Sequence, residues 1–407
     1  MLSQKQTVVI GMSGGVDSAA AALLLKERGC NTVGLFMRNW EEEDENGVCA
    51  AAADYEDVKA VCGAIGIPYY SVNFSKGYRE NVFNYFLSEL KSGRTPNPDV
   101  LCNREIKFGP FLEYAKSLGA DYIATGHYCG LEKRDGKNYL LKAADAQKDQ
   151  TYFLNQVPGK CFGRVLFPLA DLKKSEVRAI AAAAKLPIAE KKDSTGLCFI
   201  GERNFKKFLR GFLPAQPGAI ITDDGREVGR HEGLMYYTLG QRRGLNVGGK
   251  KDFPDGRWFV VRKDLERNVL VVSCGDEEPL YSGGAVCGVP NWIPDLNSAT
   301  RCINSYNLQF TNDRQSSQKC NNIPTIGHRS PAAQKNTSQF SILNSQFKLT
   351  AKFRYRQPEQ GVTVKVLPDG TLRVSFDERQ RAVTPGQYAV FYSGKYCLGG
   401  AAVESVI

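Results

Sequence analysis

Short apolar runs alternate with stretches of helical periodicity in the first part of the chain. The strand-like runs are TVVIG (7–11), TVGLFM (32–37), PYYSVNF (68–74) and DYIATGH (121–127). Helical stretches lie between and after the runs, at 18–28, about 52–65, about 77–91 and about 105–118. Gly29, Gly66 and Gly119 stand where helix C-caps are expected. This alternation predicts an α/β domain with a doubly wound parallel sheet, which binds ligands at the carboxyl ends of its strands.

The pattern changes twice further along the chain. From 149 to about 212 it is helical, and from 214 to about 275 short strands alternate with Gly/Pro turns. From 281 onward it is all-β, in KLTAKFRYR, VTVKVLP, LRVSFDE and YAVFYSG. Since 407 residues exceed one ordinary core, we expect three domains. They are a catalytic α/β domain at 1–212, a small central domain at 213–278 and a C-terminal β-barrel at 279–407.

Residues 297–346 differ from both of their neighbours. Of these 50 residues, 26 are Asn, Gln, Ser or Thr, and no periodicity is visible. This composition indicates an inserted, disordered surface loop within the barrel domain.

Composition and charge narrow the class of protein. The chain is 42% apolar and 24% charged, and no apolar run is long enough to span a membrane. The first strand begins within about ten residues, which leaves no room for a signal or transit peptide. We therefore expect a cytoplasmic protein without a membrane partner. The net charge is +10, and residues 281–407 carry 14 Lys/Arg against 7 Asp/Glu, which favours a polyanionic partner.

A glycine-rich turn, GMSGGVDS (11–18), joins the first strand to the first helix. Such a turn presents backbone N–H groups at a helix N-terminus, where phosphate binds well. The candidate phosphate-binding residues are Gly11, Met12, Ser13, Gly14, Gly15, Val16, Asp17 and Ser18. The stretch matches neither the Walker loop, which needs a lysine, nor the dinucleotide fingerprint. The alternative is a glycine turn without a ligand.

Two of the twelve cysteines lie in polar, Gly/Pro-rich stretches. Cys102 follows two prolines in GRTPNPDVLCNREIKF (93–108), which we interpret as a loop between helices, and Cys198 lies in KKDSTGLCFIGER. Cations near each cysteine favour the reactive thiolate. No CxxC is present, so zinc-ribbon and thioredoxin sites are poorly supported. The alternative is that these are two unrelated small residues.

Eight motifs, taken in their order, resemble one known family. They are GMSGGVDS, TPNPDVLCNREIKF, ATGHY, KDQTYFL, DSTGLCFIGER, YTLGQRRGL, KFRYR and PGQYAVFY. Together they resemble the tRNA-specific 2-thiouridylases, enzymes with an ATP-pyrophosphatase loop. The resemblance covers nearly the whole chain apart from the 297–346 insert. It implies an adenine-nucleotide-binding domain at 1–212 and a tRNA-binding barrel at 279–407.

The resemblance also implies a reaction. ATP, with Mg²⁺, adenylates the C2 oxygen of the wobble uridine (U34), and pyrophosphate leaves. A persulfide on Cys198 then delivers sulfur with the help of Cys102, and AMP is released. Met37 and Gly126 would line the adenosine side of the site. The persulfide sulfur would come from a donor such as a cysteine desulfurase or a sulfur-relay protein, and Cys102 and Cys198 can end as a disulfide.

The residues that the resemblance assigns to tRNA fall into two groups. Those that would face the flipped-out target base are Asn97, Pro98 and Asp99. Those that would hold the anticodon arm are His127, Lys148, Asp149, Gln150, Arg354, Tyr355 and Gln387. Structural alternatives stay open for three of them. Asp149 can cap the following helix, Tyr355 can alternate along a half-exposed strand, and His127 can be a satisfied buried histidine.

Two other functions would use part of this sequence. Another adenylating enzyme with the same loop accounts for GMSGGVDS but needs neither Cys102 nor Cys198. A non-catalytic tRNA-binding protein accounts for the basic barrel but leaves the loop and both cysteines without a role.

Overall fold

The computed structural model describes residues 6–41, 50–193, 205–247, 253, 256–295, 298 and 346–407. Cys198 lies outside the described residues, as does the predicted insert at 297–346 apart from its residues 298 and 346.

The secondary structure elements are numbered here in chain order. The strands are β1 (Thr7–Met12), β2 (Asn31–Arg38), β3 (Tyr69–Asn73), β4 (Tyr122–Ala124), β5 (Gly130–Arg134), β6 (Lys137–Leu141), β7 (Val165–Leu166), β8 (Gly218–Thr222), β9 (Glu227–His231), β10 (Trp258–Asp264), β11 (Val269–Cys274), β12 (Tyr281–Cys287), β13 (Asn291–Trp292), β14 (Gln346–Lys352), β15 (Gln360–Val366), β16 (Leu372–Arg381), β17 (Tyr388–Ser393) and β18 (Tyr396–Val406). The α-helices are α1 (Val16–Glu27), α2 (Ala50–Ile65), α3 (Ser75–Tyr78), α4 (Asn84–Lys91), α5 (Pro98–Cys102), α6 (Pro110–Ser117), α7 (Thr151–Leu154), α8 (Lys174–Ala183) and α9 (Phe205–Arg210). Single π-helical turns cover Arg79–Phe83 and Asn103–Lys107, and 3₁₀ turns cover Gly159–Arg164, Leu234–Tyr236 and Glu278–Leu280.

The N-terminal domain is built on a parallel sheet with the strand order β3-β2-β1-β4-β7. Side chains of β1 alternate between two apolar cores, as the pleat requires. Val8 and Ile10 pack with α1, α2 and α8 on one face, whereas Val9 packs with Phe111 of α6 on the other. The prediction of a doubly wound α/β domain is confirmed. Because β1 has β2 on one side and β4 on the other, a crevice opens at their carboxyl ends.

Two further sheets follow along the chain. The central domain has the strand order β10-β11-β8-β9, with β8 and β11 parallel and the other pairs antiparallel. In the C-terminal domain the antiparallel order β12-β16-β15-β14-β17-β18 is closed by pairing of β18 with β12. The predicted β-barrel is therefore confirmed. Its interior is filled by alternate residues of each strand, such as Val362, Val364 and Val366 of β15.

A hairpin of the N-terminal domain joins the barrel sheet. Strands β5 and β6 pair with each other, and Leu140 and Leu141 of β6 then pair with Cys397 and Tyr396 of β18. Neither strand was predicted, since each has only five residues and both lie in the connection between β4 and β7 of the parallel sheet. The hairpin fixes the orientation of the barrel relative to the nucleotide-binding sheet.

Two local predictions are wrong. The stretch 93–108 is not simply a loop, because it contains α5 and the π-helical turn Asn103–Lys107. The strand predicted through KFRYR ends early, since β14 stops at Lys352 and Arg354 and Tyr355 lie in the turn that follows. The alternative interpretation of Tyr355 as one residue of a half-exposed strand therefore fails.

Candidate functional site

The glycine-rich turn closes on itself before α1 begins. Gly14 has a φ of 72°, a left-handed conformation that favours glycine. The Ser18 hydroxyl accepts a hydrogen bond from the Ser13 N–H at 3.2 Å and donates one to the Gly15 carbonyl at 3.1 Å. Ser18 is buried and holds the loop together, whereas Ser13 is exposed. The first-turn N–H groups of α1 and the Ser13 hydroxyl are therefore the donors that the loop can offer to an anion.

A second glycine allows the end of β4 to approach this loop. A Cβ built on Gly126 would lie 2.8 Å from both the carbonyl carbon of Asp17 and the amide nitrogen of Ser18. The two backbones therefore approach too closely for any side chain at position 126. On the other side of the loop, the terminal methyl of Met37 lies 3.4 Å from the position of a Cβ on Gly11. Met37 and Gly126 therefore lie on either side of the loop, and their assignment to the adenosine side stays a prediction.

The positive charge beside the loop comes from residues far along the chain. Lys174, at the start of α8, places its ammonium 2.6 Å from Asp17 Oδ1 and 2.8 Å from Asp193 Oδ1. The Tyr128 hydroxyl also donates to Asp17 Oδ1, at 2.7 Å. Lysine at a helix N-terminus opposes the helix dipole, so it requires compensation by carboxylates. Lys174 was not predicted from the sequence, because only the packing of α8 brings it to the loop.

Lys191 contacts the backbone of the loop. Its ammonium donates to the Gly14 carbonyl at 3.1 Å and to Asp54 and Asp57 of α2 at 2.9 and 2.6 Å. Burial alone would lower the pKa of Lys191, but the hydrogen bonds that it donates to Asp57 and Asp54 raise it, so the side chain is a cation at neutral pH. The loop, which has no lysine of its own, is therefore contacted by two lysines from later in the chain.

Asp193 connects the loop to the chain that leads toward Cys198. It accepts hydrogen bonds from Lys148, Lys174 and Arg178, each at 2.8 Å. Burial alone would raise the pKa of Asp193, but the hydrogen bonds from Lys148 and Lys174 lower it to about 2. Among the described residues, no group of three or more His, Cys, Asp and Glu side chains could hold a metal ion.

Cys102 lies at the end of a capped helix. Asn97 is the N-cap of α5, and its side-chain oxygen accepts from the Val100 N–H at 3.4 Å, with Pro98 at the first helical position. An Asn-Pro pair at this position is a recognised helix start, and this signal was missed in the sequence. The helix directs Cys102 into an apolar core, where it is 1% exposed.

Asp99 projects from the first turn of α5. Burial raises the pKa of its carboxyl, against the opposing effect of the positive charge on Lys107. Desolvation also lowers the pKa of His127 well below its ordinary value, and Lys107 adds to this effect. His127 is buried, lies between Phe108 and Phe167, and shares a 2.7 Å hydrogen bond with the Thr125 hydroxyl. The structure therefore agrees with the alternative interpretation of a satisfied, neutral histidine.

A cavity of about 260 Å³ lies between α5 and the central domain. Asn97, Pro98 and Asp99, the three residues predicted to face the target base, line one side of it. The central domain lines the other side with Met235, Tyr236 and Thr238, and the remaining lining residues are Phe86, Leu90, Thr95, Pro96 and Phe205. The central-domain residues were not found from the sequence, since only tertiary packing brings them to α5.

Lys148, Asp149 and Gln150 form a short polar segment before α7. Lys148 pairs with Asp193, and Gln150 accepts from the Tyr128 N–H at 2.9 Å. Asp149 is buried and accepts from the Thr151 hydroxyl and N–H at 2.9 and 3.4 Å, with Lys352 at 3.5 Å. Asp149 therefore makes local bonds at the start of α7, one residue before the N-cap Gln150, as the structural alternative for this residue expected in part.

The barrel residues meet this segment and α5. The Tyr355 hydroxyl donates to the Lys148 carbonyl at 3.3 Å, and its ring packs on Phe153 with centroids 4.5 Å apart. The Gln387 amide donates to the Thr95 carbonyl at 2.7 Å, two residues before Asn97. The Arg354 guanidinium donates to the Ala382 carbonyl at 2.7 Å and to the Leu239 carbonyl of the central domain at 3.3 Å. The predicted tRNA contacts therefore lie where the three domains meet.

Comparison with known proteins defines the class. Residues 6–202 match the model described as "tRNA methyl transferase HUP domain", residues 206–274 the "tRNA methyl transferase PRC-barrel domain" and residues 331–403 the "Aminomethyltransferase beta-barrel domain". The fold and crevice are thus those of a HUP-type α/β domain joined to two β domains.

Curated relatives identify the family more closely. The tRNA-specific 2-thiouridylase MnmA of Alkaliphilus oremlandii (strain OhILAs) is 52% identical over 401 residues, covering 98% of this chain and 97% of the relative. The protein of the same name from Bacillus subtilis (strain 168) is 51% identical over 400 residues, covering 98% and 95%. The chain belongs to the tRNA-specific 2-thiouridylase family, as the motifs predicted.

We predict that Gly126→Ala disrupts the nucleotide crevice. The new methyl group would collide with the backbone of Asp17 and Ser18, and overpacking of this kind costs about 1–3 kcal/mol. We expect a lower melting temperature and at least about tenfold weaker ATP binding in calorimetry.

Gly63→Ala is the matched control, because Gly63 lies in α2 with no atom within 4 Å of its Cβ position. The control should be stabilised by about 0.5–1 kcal/mol. Equal ATP affinity in the Gly126 variant and the parent would contradict the assigned close approach.

We predict a pH-dependent stability effect for Asp193→Asn. A carboxylate whose pKa is lowered on folding stabilises the protein above its unfolded pKa of about 4, and this stabilisation is lost as the pH falls toward 2. At pH 7 a loss of about 1 kcal/mol, typical of partly exposed ion pairs, would lower Tm by about 2–4 °C. The Tm difference from the parent should shrink below about pH 4. Asp171→Asn, at an exposed aspartate in the turn before α8, is the control. A difference that stays constant down to pH 2.5 would contradict the network.

Proposed function

We propose that this chain catalyses the ATP-dependent 2-thiolation of the wobble uridine (U34) of tRNA. The observation that carries the proposal is the crevice between β1 and β4, where Lys174 contacts Asp17 of the glycine-rich loop and Lys191 contacts the Gly14 carbonyl. Relatives about 50% identical over the full chain are named tRNA-specific 2-thiouridylases, which supports uridine thiolation of tRNA.

ATP activates the base in the first step. The C2 oxygen of uracil is a poor leaving group, so it attacks the α-phosphorus of ATP, and pyrophosphate leaves. The N–H groups of the loop, Ser13 and the Lys174 and Lys191 ammonium groups would hold the β- and γ-phosphates. Both lysines contact carboxylate oxygens in the described structure. Phosphate oxygens of ATP would take the place of these contacts, so neither ammonium group would be left without an anionic partner. Magnesium ion would arrive with ATP and neutralise phosphate charge, with Asp17 the nearest loop carboxylate.

Sulfur replaces the activated oxygen in the second step. A sulfur donor, such as a cysteine desulfurase or a relay protein, places a sulfane sulfur on Cys198. The Cys102 thiolate attacks the inner sulfur of this persulfide, and the outer sulfur leaves with its electron pair, as free sulfide or directly onto C2. The C2–O bond breaks, and AMP leaves with the oxygen. Cys102 and Cys198 end as a disulfide, which a dithiol must reduce before the next turnover.

The anticodon arm would lie across the junction of the three domains. Lys148 and Arg354 offer cations there, Tyr355 an aromatic ring, and Gln150 and Gln387 amides. The Arg354 hydrogen bonds to Ala382 and Leu239 give it a structural role as well. His127 and Asp149 would act by shaping this surface, because both are buried and hydrogen-bonded within the chain. We place the reaction in the cytoplasm, and none of the described helices is long and apolar enough to cross a membrane.

We predict that Lys174→Met impairs adenylation. Loss of a charge-assisted hydrogen bond to phosphate, about 1.5–3 kcal/mol, should raise the KM for ATP by about tenfold to a hundredfold. The measurement is tRNA-dependent release of pyrophosphate. Lys173→Met is the matched control, since Lys173 is exposed and precedes α8 by one residue. Unchanged ATP kinetics in the Lys174 variant would remove this residue from the phosphate site.

We predict that the two cysteines can be separated by experiment. Cys198→Ser should release pyrophosphate with tRNA but form no 2-thiouridine, because a hydroxyl cannot carry sulfane sulfur. Cys102→Ser should also lose thiolation, yet intact mass should show one added sulfur after incubation with donor. Cys161→Ser, at a half-buried cysteine in the Gly159–Arg164 turn, is the control and should thiolate at the parent rate. Nucleoside mass spectrometry provides the readout.

Three results would overturn the proposal or its parts. If the parent protein, ATP, donor and tRNA yield no 2-thiouridine, the function is wrong. If pyrophosphate is released without tRNA but with a small amine or acid, the chain is another adenylating enzyme. If tRNA binds and pyrophosphate is never released, it is a non-catalytic binding protein.

A further inference from the structure

The central domain supplies one wall of the cavity beside α5. Tyr236 lies in the 3₁₀ turn Leu234–Tyr236, and this turn faces Asn97, Pro98 and Asp99 across the cavity. The hydroxyl groups of Thr95 and Thr238 lie 3.3 Å apart and link the two walls. The volume, about 260 Å³, falls below the range of about 300–1,000 Å³ that is typical of drug-sized ligands. A single planar base is the size of ligand that suits this space.

One polar atom of this wall lacks a hydrogen bond. The Tyr236 hydroxyl is buried, and no partner for it lies within the described part of the chain. The side chain as a whole is 6% exposed, and the Lys206 ammonium lies 5.9 Å from the ring centroid. Leaving a buried hydroxyl without a partner is costly, and most such groups in native proteins have one. Because Tyr236 also lines the cavity, a base bound there is a ligand that could complete the hydrogen bonding of this hydroxyl.

The chemistry of the base decides which atom meets this hydroxyl. The C2 oxygen must face ATP and the cysteines, because it is the atom that is adenylated and replaced. The 4-carbonyl oxygen lies on the Watson–Crick edge, separated from the C2 carbonyl by N3, and it is an acceptor that a phenol O–H can satisfy. Reading a base by contacts to its Watson–Crick edge is usual for enzymes that act on a flipped base.

We propose that the Tyr236 hydroxyl donates a hydrogen bond to the 4-carbonyl oxygen of the target uracil and so orients C2 for adenylation. Tyr236 is then a positioning residue that the central domain contributes to the site. The inference rests on the proposed function, since it assigns the cavity to the base of that reaction.

Tyr236→Phe tests the proposal, because it removes only the hydroxyl. Losing one hydrogen bond should lower kcat/KM for 2-thiouridine formation on an anticodon stem-loop RNA by about threefold to tenfold. The melting temperature should stay unchanged or rise, since the hydroxyl has no partner in the described structure. The matched control is Tyr237→Phe, at an adjacent buried tyrosine that does not line the cavity, and it should keep the parent kcat/KM.

A modified substrate makes the test specific to the proposed contact. In an RNA with 4-thiouridine at the target position, sulfur is a weak acceptor in place of the 4-carbonyl oxygen. The parent enzyme should then slow by about the same factor, whereas Tyr236→Phe should lose nothing further. This is a double-mutant cycle between one protein atom and one base atom.

Each other outcome has a distinct meaning. If the parent enzyme forms no 2-thiouridine, the proposed function fails and not this inference alone. If the parent enzyme is active and Tyr236→Phe matches it, the inference is wrong. A lower melting temperature in Tyr236→Phe would show that the hydroxyl bonds within the protein, and additive effects of the two changes would show that it does not contact the 4-carbonyl. Both of these outcomes overturn the proposal.

Discussion

The close approach of two backbones at the crevice between β1 and β4 is the constraint on which the site depends. Gly126 lies against the backbone of Asp17 and Ser18 at a distance that excludes every side chain. This contact fixes the end of β4 beside the phosphate loop, and the residues after it follow in a defined order. Tyr128 thereby reaches Asp17, and Gln150 reaches the Tyr128 backbone. Tyr152, two residues after Gln150, donates a hydrogen bond to the Tyr388 carbonyl of the barrel. The backbone contact at Gly126 thus orients the side-chain contacts that follow it along the chain.

The sequence allowed accurate prediction wherever a feature is local. The strand, glycine turn and helix at 7–27 were predicted from adjacent residues, and Gly29, Gly66 and Gly119 have the positive φ expected of C-caps. It was less informative where distant residues decide the structure. Lys174 and Lys191 reach a loop about 160 to 180 positions earlier, and only the chain's return along α8 brings them there. The helix at Pro98 was missed for another reason: two prolines suggest a loop, although one proline at a first helical position starts a helix.

The proposed phosphate site carries little net charge, although it would bind a highly charged ligand. Its four cations are Lys148, Lys174, Arg178 and Lys191, and its four carboxylates are Asp17, Asp54, Asp57 and Asp193. Lys174 lies between Asp17 and Asp193, and Lys191 lies between Asp54 and Asp57. Each lysine is therefore oriented before a phosphate arrives, and little side-chain entropy remains to be lost on binding. The carboxylates also set a requirement on the ligand, because phosphate without a bound cation would be repelled by them. This balance favours a nucleotide that carries its own divalent ion over a bare anion of similar size.

The β5–β6 hairpin has a consequence for how such a protein can be divided and recombined. The hairpin belongs to the nucleotide-binding domain by sequence, yet it extends the sheet of the barrel through β18. A barrel expressed alone would expose the part of β18 that β6 covers, and unpaired strand edges promote aggregation. Exchange of the barrel between related chains would likewise need a matching hairpin from the same parent. A transplantable unit must therefore contain both the barrel and the β5–β6 hairpin. Its boundary lies within the nucleotide-binding domain and does not coincide with a linker.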